Sequence, residues 1–378
     1  MSPSRPAETP SPPAGATSGD PPGGATTPST RVDERDTLFA RMARRPETPA
    51  YEEYYARRPE LRAGDDKLRA LPPLCAPGTR YFDPARSTEA DRLFRSIPGL
   101  QPDPADVERL AGTLTRTADA STDLRRAALE LGAVAAGCAP VDPAFVYSHR
   151  GRFDDDYGRP IEPDLPHALV FLVEMDFEAM RQAPAAPTLV ESARQYVRAA
   201  RISTTLAAAL EAAGHAARSQ HDAHYEVLLP PLAVSAGLGE LGRNNILVAD
   251  RFGSRVRIGA VLTDLPLRPD APVDLGVRAF CAVCRKCADN CPAHALSAGP
   301  PIDVRGVRKW PTAVERCHAF WRGAGTDCGI CMAVCPFSHR DTRPHRLVRA
   351  VVRRARWTHR AAVRFDDLLY GRRWRGGR

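Results

Sequence analysis

Apolar residues change their period along the chain and so indicate where helices and strands lie. The segment from Ser121 to Gly137 begins with Ser and Thr, repeats apolar residues about every 3.6 positions and ends with glycine. This pattern predicts a helix. His167 to Phe177 is a continuous apolar run and indicates a buried central strand. From Thr188 to Ala213 apolar residues return at helical spacing, and Gly214 follows. This pattern predicts a long helix with Tyr196 on its buried or cleft-facing side.

The regions on either side of this helix complete the predicted organisation. A glycine-rich turn, Ala236 to Asn245, is followed by NILVAD and RVRIGAVLTDLPL, which we expect to form a pair of strands. Strands that flank helices indicate an α/β (α+β) fold. We therefore divide the chain into a disordered Pro/Gly/Ser-rich N-terminus, a wrapping segment of short helices and loops, a catalytic domain, a cysteine module and a basic tail. Their boundaries are 1–30, 31–120, 121–278, 279–342 and 343–378.

Charge is unevenly distributed along the chain. The formal net charge is +8, yet residues 343–378 alone hold twelve arginines against two aspartates. The remainder is therefore slightly acidic. No apolar run approaches the ~20 residues of a membrane span, and we see no secretory or twin-arginine signal, so we expect a cytoplasmic protein without a transmembrane segment. No base-reading motif is visible, and no nucleic acid partner is expected.

Eight of the ten cysteines lie close together in two runs and predict iron–sulfur chemistry. The first run has the bacterial spacing CxxCxxCxxxCP, in which the fourth cysteine ligates the other of two clusters. The proline after each fourth cysteine turns the chain away. We therefore predict two crossed [4Fe–4S] sets. The first set is Cys281, Cys284, Cys287 and Cys335, and the second is Cys291, Cys317, Cys328 and Cys331.

Zinc and disulfides are the competing interpretations of these cysteines. Zinc sites usually pair two separated halves, whereas CxxCxxC crowds three thiolates around one centre. Disulfide frameworks are typical of small secreted chains. Cys317 is the least secure ligand because its spacing to Cys328 departs from the ferredoxin pattern. Cys75 and Cys138 stand alone, and we interpret them as packed thiols.

Several segments, taken in order along the chain, resemble the reductive dehalogenases. These are DTLFARMARRPETPAYEEYYARRPEL, LVEMDFEAM, AGLGELGRNN, VRIGAVLTDLPL, DLGVRAF, CAVCRKCADNCPAHAL, FWRGAGTDCGICMAVCPF and DDLLYG. The resemblance implies a nitroreductase-like domain that binds cobalamin in a base-off form, followed by a ferredoxin-like module with two clusters. It implies reduction of an organohalide. Asp222, His224 and Val227 only approach the corrinoid motif DxHxxG, so we do not expect His224 to ligate cobalt.

The resemblance also implies roles for individual residues. Tyr196 matches the place of the family's general acid, and Arg257, with Arg255 as the alternative, matches the cation expected to lower its pKa. A core tyrosine on an amphipathic helix is the competing interpretation. The glycines of the turn would let the backbone approach the corrinoid; they are Gly237, Gly239 and Gly242. The GxGxxG spacing lacks the following helix of a dinucleotide site. His221, Asp222 and His224 lie where the family places a polar pocket residue.

Three functions and several partners follow as alternatives. The first function is cobalamin-dependent dehalogenation, the second is a related corrinoid reductase resembling epoxyqueuosine reductase, and the third is electron transfer without a corrinoid. No fused electron-donor domain follows the clusters, so we expect an external ferredoxin or flavodoxin. The basic tail could pack on the protein, lie on a membrane surface or dock this acidic donor.

Overall fold

The computed structural model describes residues 30–222 and 224–376. The disorder predicted for residues 1–30 lies, except for Thr30, outside the described residues. Within these residues, helices dominate the first and last parts, and the longer strands lie in the middle.

The described helices are numbered in chain order. They are α1 Leu38–Ala43, α2 Pro49–Arg57, α3 Pro59–Arg69, α4 Pro84–Ser96, α5 Pro104–Leu114, α6 Ala120–Glu130, α7 Phe177–Met180, α8 Ala186–Ala212, α9 Leu229–Ser235, α10 Val277–Cys284, α11 Lys286–Asp289, α12 Val314–Ala324, α13 Ile330–Ala333, α14 Arg343–Arg354 and α15 His359–Tyr370. The strands are β1 Ala135–Pro140, β2 His167–Glu174, β3 Ala217–Gln220, β4 Glu240–Leu241, β5 Leu247–Val248, β6 Val256–Thr263, β7 Ile302–Val304 and β8 Val307–Lys309.

A four-stranded antiparallel sheet of order β1-β2-β6-β3 forms the centre of the middle domain. Ala168, Val170 and Leu172 of β2 pack into one hydrophobic cluster, and Leu169, Phe171 and Val173 pack into another on the opposite face. A strand covered on both faces needs apolar side chains at every position. The predicted central strand is therefore confirmed.

The two faces of the sheet are covered by different helices. Residues of α5, α6 and α8 join the cluster that contains Leu169, whereas residues of α9 join the cluster that contains Val170. The predicted long helix is confirmed as α8, which begins two residues earlier than expected and ends one residue earlier. Because α8 lies against the sheet along its length, the residues of its free side can line a cavity.

Two predicted elements were wrong in their extent or pairing. The helix predicted to continue to Gly137 ends at Glu130, where Gly132 takes a φ of +105°. Residues from Ala135 instead pair with β2, since sheet pairing satisfies their backbone groups. The two strands expected to pair with each other do not: β5 pairs with β4, and β6 pairs with β2 and β3.

The N-terminal segment consists of short helices, as predicted, and contacts both larger parts of the molecule. Helices α4 and α5 pack on α8. Arg41 pairs with the buried Asp65 at 2.6 Å and with Glu315 of α12 at 3.0 Å. This segment therefore ties the middle domain to the cysteine module.

The two C-terminal helices pack against the first part of the cysteine module. Val352 of α14 and Val363 of α15 share a hydrophobic cluster with Phe280 and Cys284 of α10. Asp366 of α15 is buried, pairs with Lys286 and accepts a 2.6 Å hydrogen bond from His339. Among the described helices, none combines the length and apolar character needed to cross a bilayer.

Candidate active site and iron–sulfur centres

The eight clustered cysteines separate into two groups of four. Burial raises the pKa of the Cys281 and Cys287 thiols, and the thiols nearest to them add to this effect. The charges of Cys335 and Cys284 raise the pKa of Cys281, and the same two residues also raise the pKa of Cys287. A small cavity is lined by all four thiols of this first cysteine group: Cys281, Cys284, Cys287 and Cys335.

The remaining four thiols form the second cysteine group. Burial raises the pKa of Cys328 to about 12, and its thiol neighbours are Cys317 and Cys291. Cys331 has Cys328, Cys317 and Cys291 as neighbours. These neighbourhoods match the crossed sets expected from the spacing, including Cys317. Cys287 also neighbours Cys331, so the two groups are adjacent.

Local backbone geometry explains how close spacing turns several thiols inward. Cys281 and Cys284 lie three positions apart on α10 and share a side of that helix. Arg285 then takes the left-handed conformation, with a φ of +57°, which ends α10 and starts α11 with Cys287. A buried constellation of thiols has the soft donors that iron–sulfur clusters use. The residues present therefore fit two such clusters.

A cavity of about 1060 Å³ opens between the middle domain, the N-terminal segment and the cysteine module. All four members of the second cysteine group line it, whereas those of the first group do not. Tyr196 of α8 and Arg257 of β6 line it as well, together with Asp327. The structure therefore brings the sequence-predicted acid, its cation and one set of cysteines to a single cavity.

Arg257 links the tyrosine to the cysteine module. Its guanidinium lies 4.7 Å from the centre of the Tyr196 ring, and it pairs with Asp327 at 3.2 Å and with the Ser192 hydroxyl. Asp327 directly precedes Cys328 of the second group. The sequence analysis missed Asp327, since nothing in its local pattern distinguishes it from a loop aspartate.

The net pKa shift of Tyr196 is opposite to the one expected from its cation. Burial raises the pKa of Tyr196, and the charge of Arg257 lowers it by less. Arg257 thus acts in the expected direction, but desolvation of the phenolate is the larger effect, so the net pKa is raised. The tyrosine keeps its proton over the ordinary pH range, as a proton donor must.

Arg255, the alternative cation, has a different position. Its side chain is buried, donates to the Ser338 and Met175 carbonyls at 2.7 and 2.6 Å, and pairs with Glu174 at 2.9 Å. These bonds hold β6 to the segment after Cys335. Arg255 does not line the cavity, so Arg257 is the better candidate.

The glycines of the turn pack closely against other residues of the protein, two of them against backbone and Gly242 against side chains. A Cβ on Gly237 would lie 2.6 Å from the Ala271 carbonyl oxygen, and one on Gly242 would lie 2.9 Å from Asn244. The Cβ of a residue at Gly239 would likewise meet Val248. None of the three lines the large cavity, so the structure gives no support to their predicted cofactor contact. Residues 244–246, at the end of this segment, line that cavity instead.

The polar residues between α8 and α9 are separated by the fold. Asp222 lines the cavity and pairs with Arg152 at 3.0 Å, which also lines it. His221 is buried and bonded to the Asp222 backbone, and His224 is exposed and pairs with His221 through backbone hydrogen bonds. The sequence analysis missed Arg152, because its partner lies far away along the chain.

Buried polar atoms without a protein partner mark the cavity wall. They include Oδ1 of Asp327, Nε of Arg257 and both ring nitrogens of His318, and all three residues line the cavity. Such atoms are costly unless a ligand or water pairs with them. A second cavity of about 660 Å³ shares Phe39, His318 and Trp321 with the first. Together they offer room and hydrogen-bonding groups for a large ligand that carries polar substituents.

Comparison with known proteins agrees with this architecture. Residues 280–339 match the family model of the 4Fe-4S dicluster domain. A tetrachloroethene reductive dehalogenase of Desulfitobacterium hafniense is 33% identical over 297 residues, which is 66% of this chain and 53% of that protein. The chain spans about half the length of the curated relatives it matches.

Solved structures extend the match over nearly the whole described chain. A variant of the catabolic reductive dehalogenase NpRdhA aligns with a TM-score of 0.71 at 25% identity, over 91% of this chain and 46% of that one. Another reductive dehalogenase structure, described in connection with B12-dependent dehalogenation, aligns with a TM-score of 0.69 at 26% identity, over 91% and 47%. The chain thus contains a C-terminal 4Fe-4S dicluster module. By sequence and by fold it is similar to the reductive dehalogenases.

Proposed function

We propose that this protein removes halide from an organohalide, using a corrinoid held in the large cavity. The balanced reaction consumes one proton and two electrons, breaks the carbon–halogen bond, forms a carbon–hydrogen bond and releases halide. The observation that carries the proposal is the single cavity lined by Tyr196, Arg257 and the second cysteine group. This arrangement supports the proposal, because a proton donor and an electron source would then lie beside the same space.

The cavity fits a corrinoid in size and in chemistry. It is large, it continues into a second cavity, and its wall holds buried polar atoms that lack a protein partner. When bound, the corrinoid would supply a reducible cobalt centre that reacts at the carbon–halogen bond. Asn244, Asn245 and Ile246 line the cavity and are our candidates for holding the corrinoid.

Tyr196 is the proposed proton donor. Because its pKa is raised, the phenol stays protonated until the proton is transferred to the substrate carbon. The guanidinium of Arg257 then offsets part of the cost of the phenolate, since opposite charge favours the ionised form. Asp327 and Ser192 hold that guanidinium over the ring.

The remaining cavity wall suits an apolar or aromatic organohalide. Phe39, Phe94, Phe153 and Trp321 contribute aromatic surface, and Arg152 contributes a cation paired with Asp222. A structure of NpRdhA contains 3-bromo-4-hydroxybenzoic acid. We therefore propose halogenated aromatic compounds as the first substrates to test.

Electrons would travel through two clusters, one held by each cysteine group. The groups are adjacent, and only the second reaches the cavity, so the order runs from the first to the second. An external donor would supply them one at a time. A cytoplasmic location stays a prediction from the sequence.

The test combines corrinoid binding with anaerobic turnover. Protein reconstituted with iron, sulfide and cobalamin would be offered halogenated phenols, chlorinated alkenes and an epoxyqueuosine-containing tRNA, with methyl viologen as reductant. We expect halide release from at least one organohalide. We expect Tyr196→Phe to bind the corrinoid normally and to lose about 100-fold or more in turnover, the usual contribution of a general acid.

Each alternative has a distinct outcome in this experiment. Turnover of the tRNA without halide release would identify the related corrinoid reductase instead. If the clusters were intact but the protein bound no stoichiometric corrinoid, electron transfer would be the one remaining alternative. Full activity in Tyr196→Phe would remove the acid assignment and leave the reaction class in place.

A further inference from the structure

A basic cleft lies beside the first cysteine group and shares no lining residue with the large cavity. It has a volume of about 460 Å³ and is lined by five arginines: Arg251, Arg346, Arg349, Arg353 and Arg354. The one carboxylate that lines it is Asp250, and Asp341 neutralises part of the charge by pairing with Arg251, Arg346 and Arg349. The cleft therefore keeps a net positive charge.

Two of these arginines are free to meet a partner. Arg353 and Arg354 end α14, are exposed, and have no carboxylate within ion-pair distance among residues 30–222 and 224–376. Arg346, Arg349 and Arg353 lie three and four residues apart, so their side chains share one side of α14. A protruding acidic surface would complement this side.

The wall of the cleft is also a wall of the first cluster site. Phe337 lines both the cleft and the small cavity that contains the four thiols of the first group. Leu275, which also lines the cleft, belongs to the hydrophobic cluster that contains Phe280, Phe337 and Cys284. One layer of apolar side chains thus separates a positively charged surface from the first group.

We propose that this cleft is the docking face for a small acidic electron-carrier protein. The inference rests on the proposed function, because it needs a cluster at the first cysteine group. In each encounter the carrier is oxidised by one electron and that cluster is reduced by one. Two encounters supply the two electrons that halide removal consumes.

A lipid surface is the competing occupant of this end of the molecule. Leu347 and Trp357 are 67% and 87% exposed, and Leu368 of α15 is 80% exposed. Leu347, Val348 and Val351 lie on a different side of α14 from Arg346, Arg349 and Arg353. A concave, arginine-lined cleft above a cluster suits a protruding acidic protein, and the apolar side chains do not line it.

The test measures how fast the clusters are reduced. Under anaerobic stopped flow, a reduced acidic [2Fe–2S] ferredoxin would be mixed with the reconstituted protein, and bleaching of the cluster absorbance would be followed at several salt concentrations. We expect the Arg353→Glu/Arg354→Glu variant to lose about tenfold or more in the second-order rate at low salt, with a flatter salt dependence. Reduction by methyl viologen, a small cation, would be unchanged.

A matched variant controls for the overall change in charge. Arg116→Glu/Arg201→Glu alters two exposed arginines of α8 and the α5 terminus, and we expect it to keep wild-type rates with ferredoxin. Equal ferredoxin rates in the cleft variant and wild type would overturn the proposal. So would loss of binding to phosphatidylserine vesicles in the cleft variant without any loss of ferredoxin reduction.

Failure of the proposed function would look different. If methyl viologen bleached no cluster absorbance in wild type, the clusters themselves would be absent. If it bleached them and no halide was released, the clusters would stand without dehalogenation. Neither result alters the comparison of ferredoxin rates where clusters are present.

Discussion

The two cysteine groups offer the same ligands in different surroundings. The first is enclosed by α10, α15 and Phe337, with a positively charged cleft beyond that wall. The second opens into the large cavity beside Tyr196 and Arg257. Identical sulfur chemistry can therefore serve two tasks, reception of electrons on one side and delivery on the other. The surroundings of a cluster, more than its ligands, define its place in the sequence of transfers.

The largest expected effect comes from removing a cysteine of the second group. We expect Cys331→Ser to reduce the iron content from about eight to about four atoms per chain, and turnover to fall to background. Cys75→Ser is the matched control, since Cys75 lines the same cavity and belongs to neither group. Iron and sulfide assays with electron paramagnetic resonance measure both. Retention of eight irons in Cys331→Ser would break the assignment.

The stability of the fold around the first cysteine group should depend on α15, the helix that packs beside it. Asp366→Asn leaves Lys286 buried with a weakened partner, and we expect it to cost about 3 kcal/mol of the free energy of unfolding. Urea denaturation measures this. Asp367→Asn, where the ion pair to Lys286 is 3.4 Å long and more exposed, should cost less. Equal effects of the two substitutions would contradict the central role of Asp366.

The same contact gives the stability a defined pH dependence. Burial raises the pKa of Asp366, but the bonds from His339 and Lys286 outweigh burial, so the net pKa lies below 3.8. A carboxyl with a lowered pKa stabilises the fold above its unfolded value, and the contribution is lost as the pH falls through the folded value. Thermal unfolding of wild type should therefore lose this contribution below about pH 4, whereas Asp366→Asn should lack that part of the decline.

Asp327 should have a smaller effect, limited to catalysis at the second group's cavity. Asp327→Asn weakens the hold on Arg257, and we expect kcat to fall about tenfold with KM little changed. Iron content separates this role from a contribution to the neighbouring cluster. Ser192→Ala, which removes the other bond to Arg257, should act in the same direction and by less. Loss of iron in Asp327→Asn would replace the positioning role with a metal-site role.

The smallest expected effect is a shift in a titration. Arg257 lowers the pKa of Tyr196, so Arg257→Gln should raise that pKa further. The ultraviolet absorbance of tyrosinate, measured as the difference from the same protein carrying Tyr196→Phe, should therefore appear at higher pH in the variant. A shift to lower pH would show that Arg257 does not act on the phenol.

Local patterns predicted the parts of this molecule that depend on local spacing. The spacing of the cysteines predicted both groups, and the apolar patterns predicted β2 and α8. Each of these features is built mainly from residues that lie close together in the sequence. The helix before β1 was extended too far, since pairing with β2 overrides helix propensity at Ala135. Arg152 and Asp327 were missed, because each acquires its role from a partner distant in the chain. The glycines of the turn correctly indicated that this segment packs closely against something. The sequence did not show that its partner is the protein itself.

The crossing of the two groups has a consequence for how the protein is made. Translation releases Cys281, Cys284 and Cys287 first, yet their fourth partner, Cys335, follows only after α12 and α13. Cys291 likewise waits for three thiols that emerge later. When synthesis reaches Cys331 and completes the second group, three of the four ligands of the first group have already been made. The first group is completed only four residues later, at Cys335. Iron loading should therefore be a single late event, and a nascent chain stalled within this region would carry unprotected thiols.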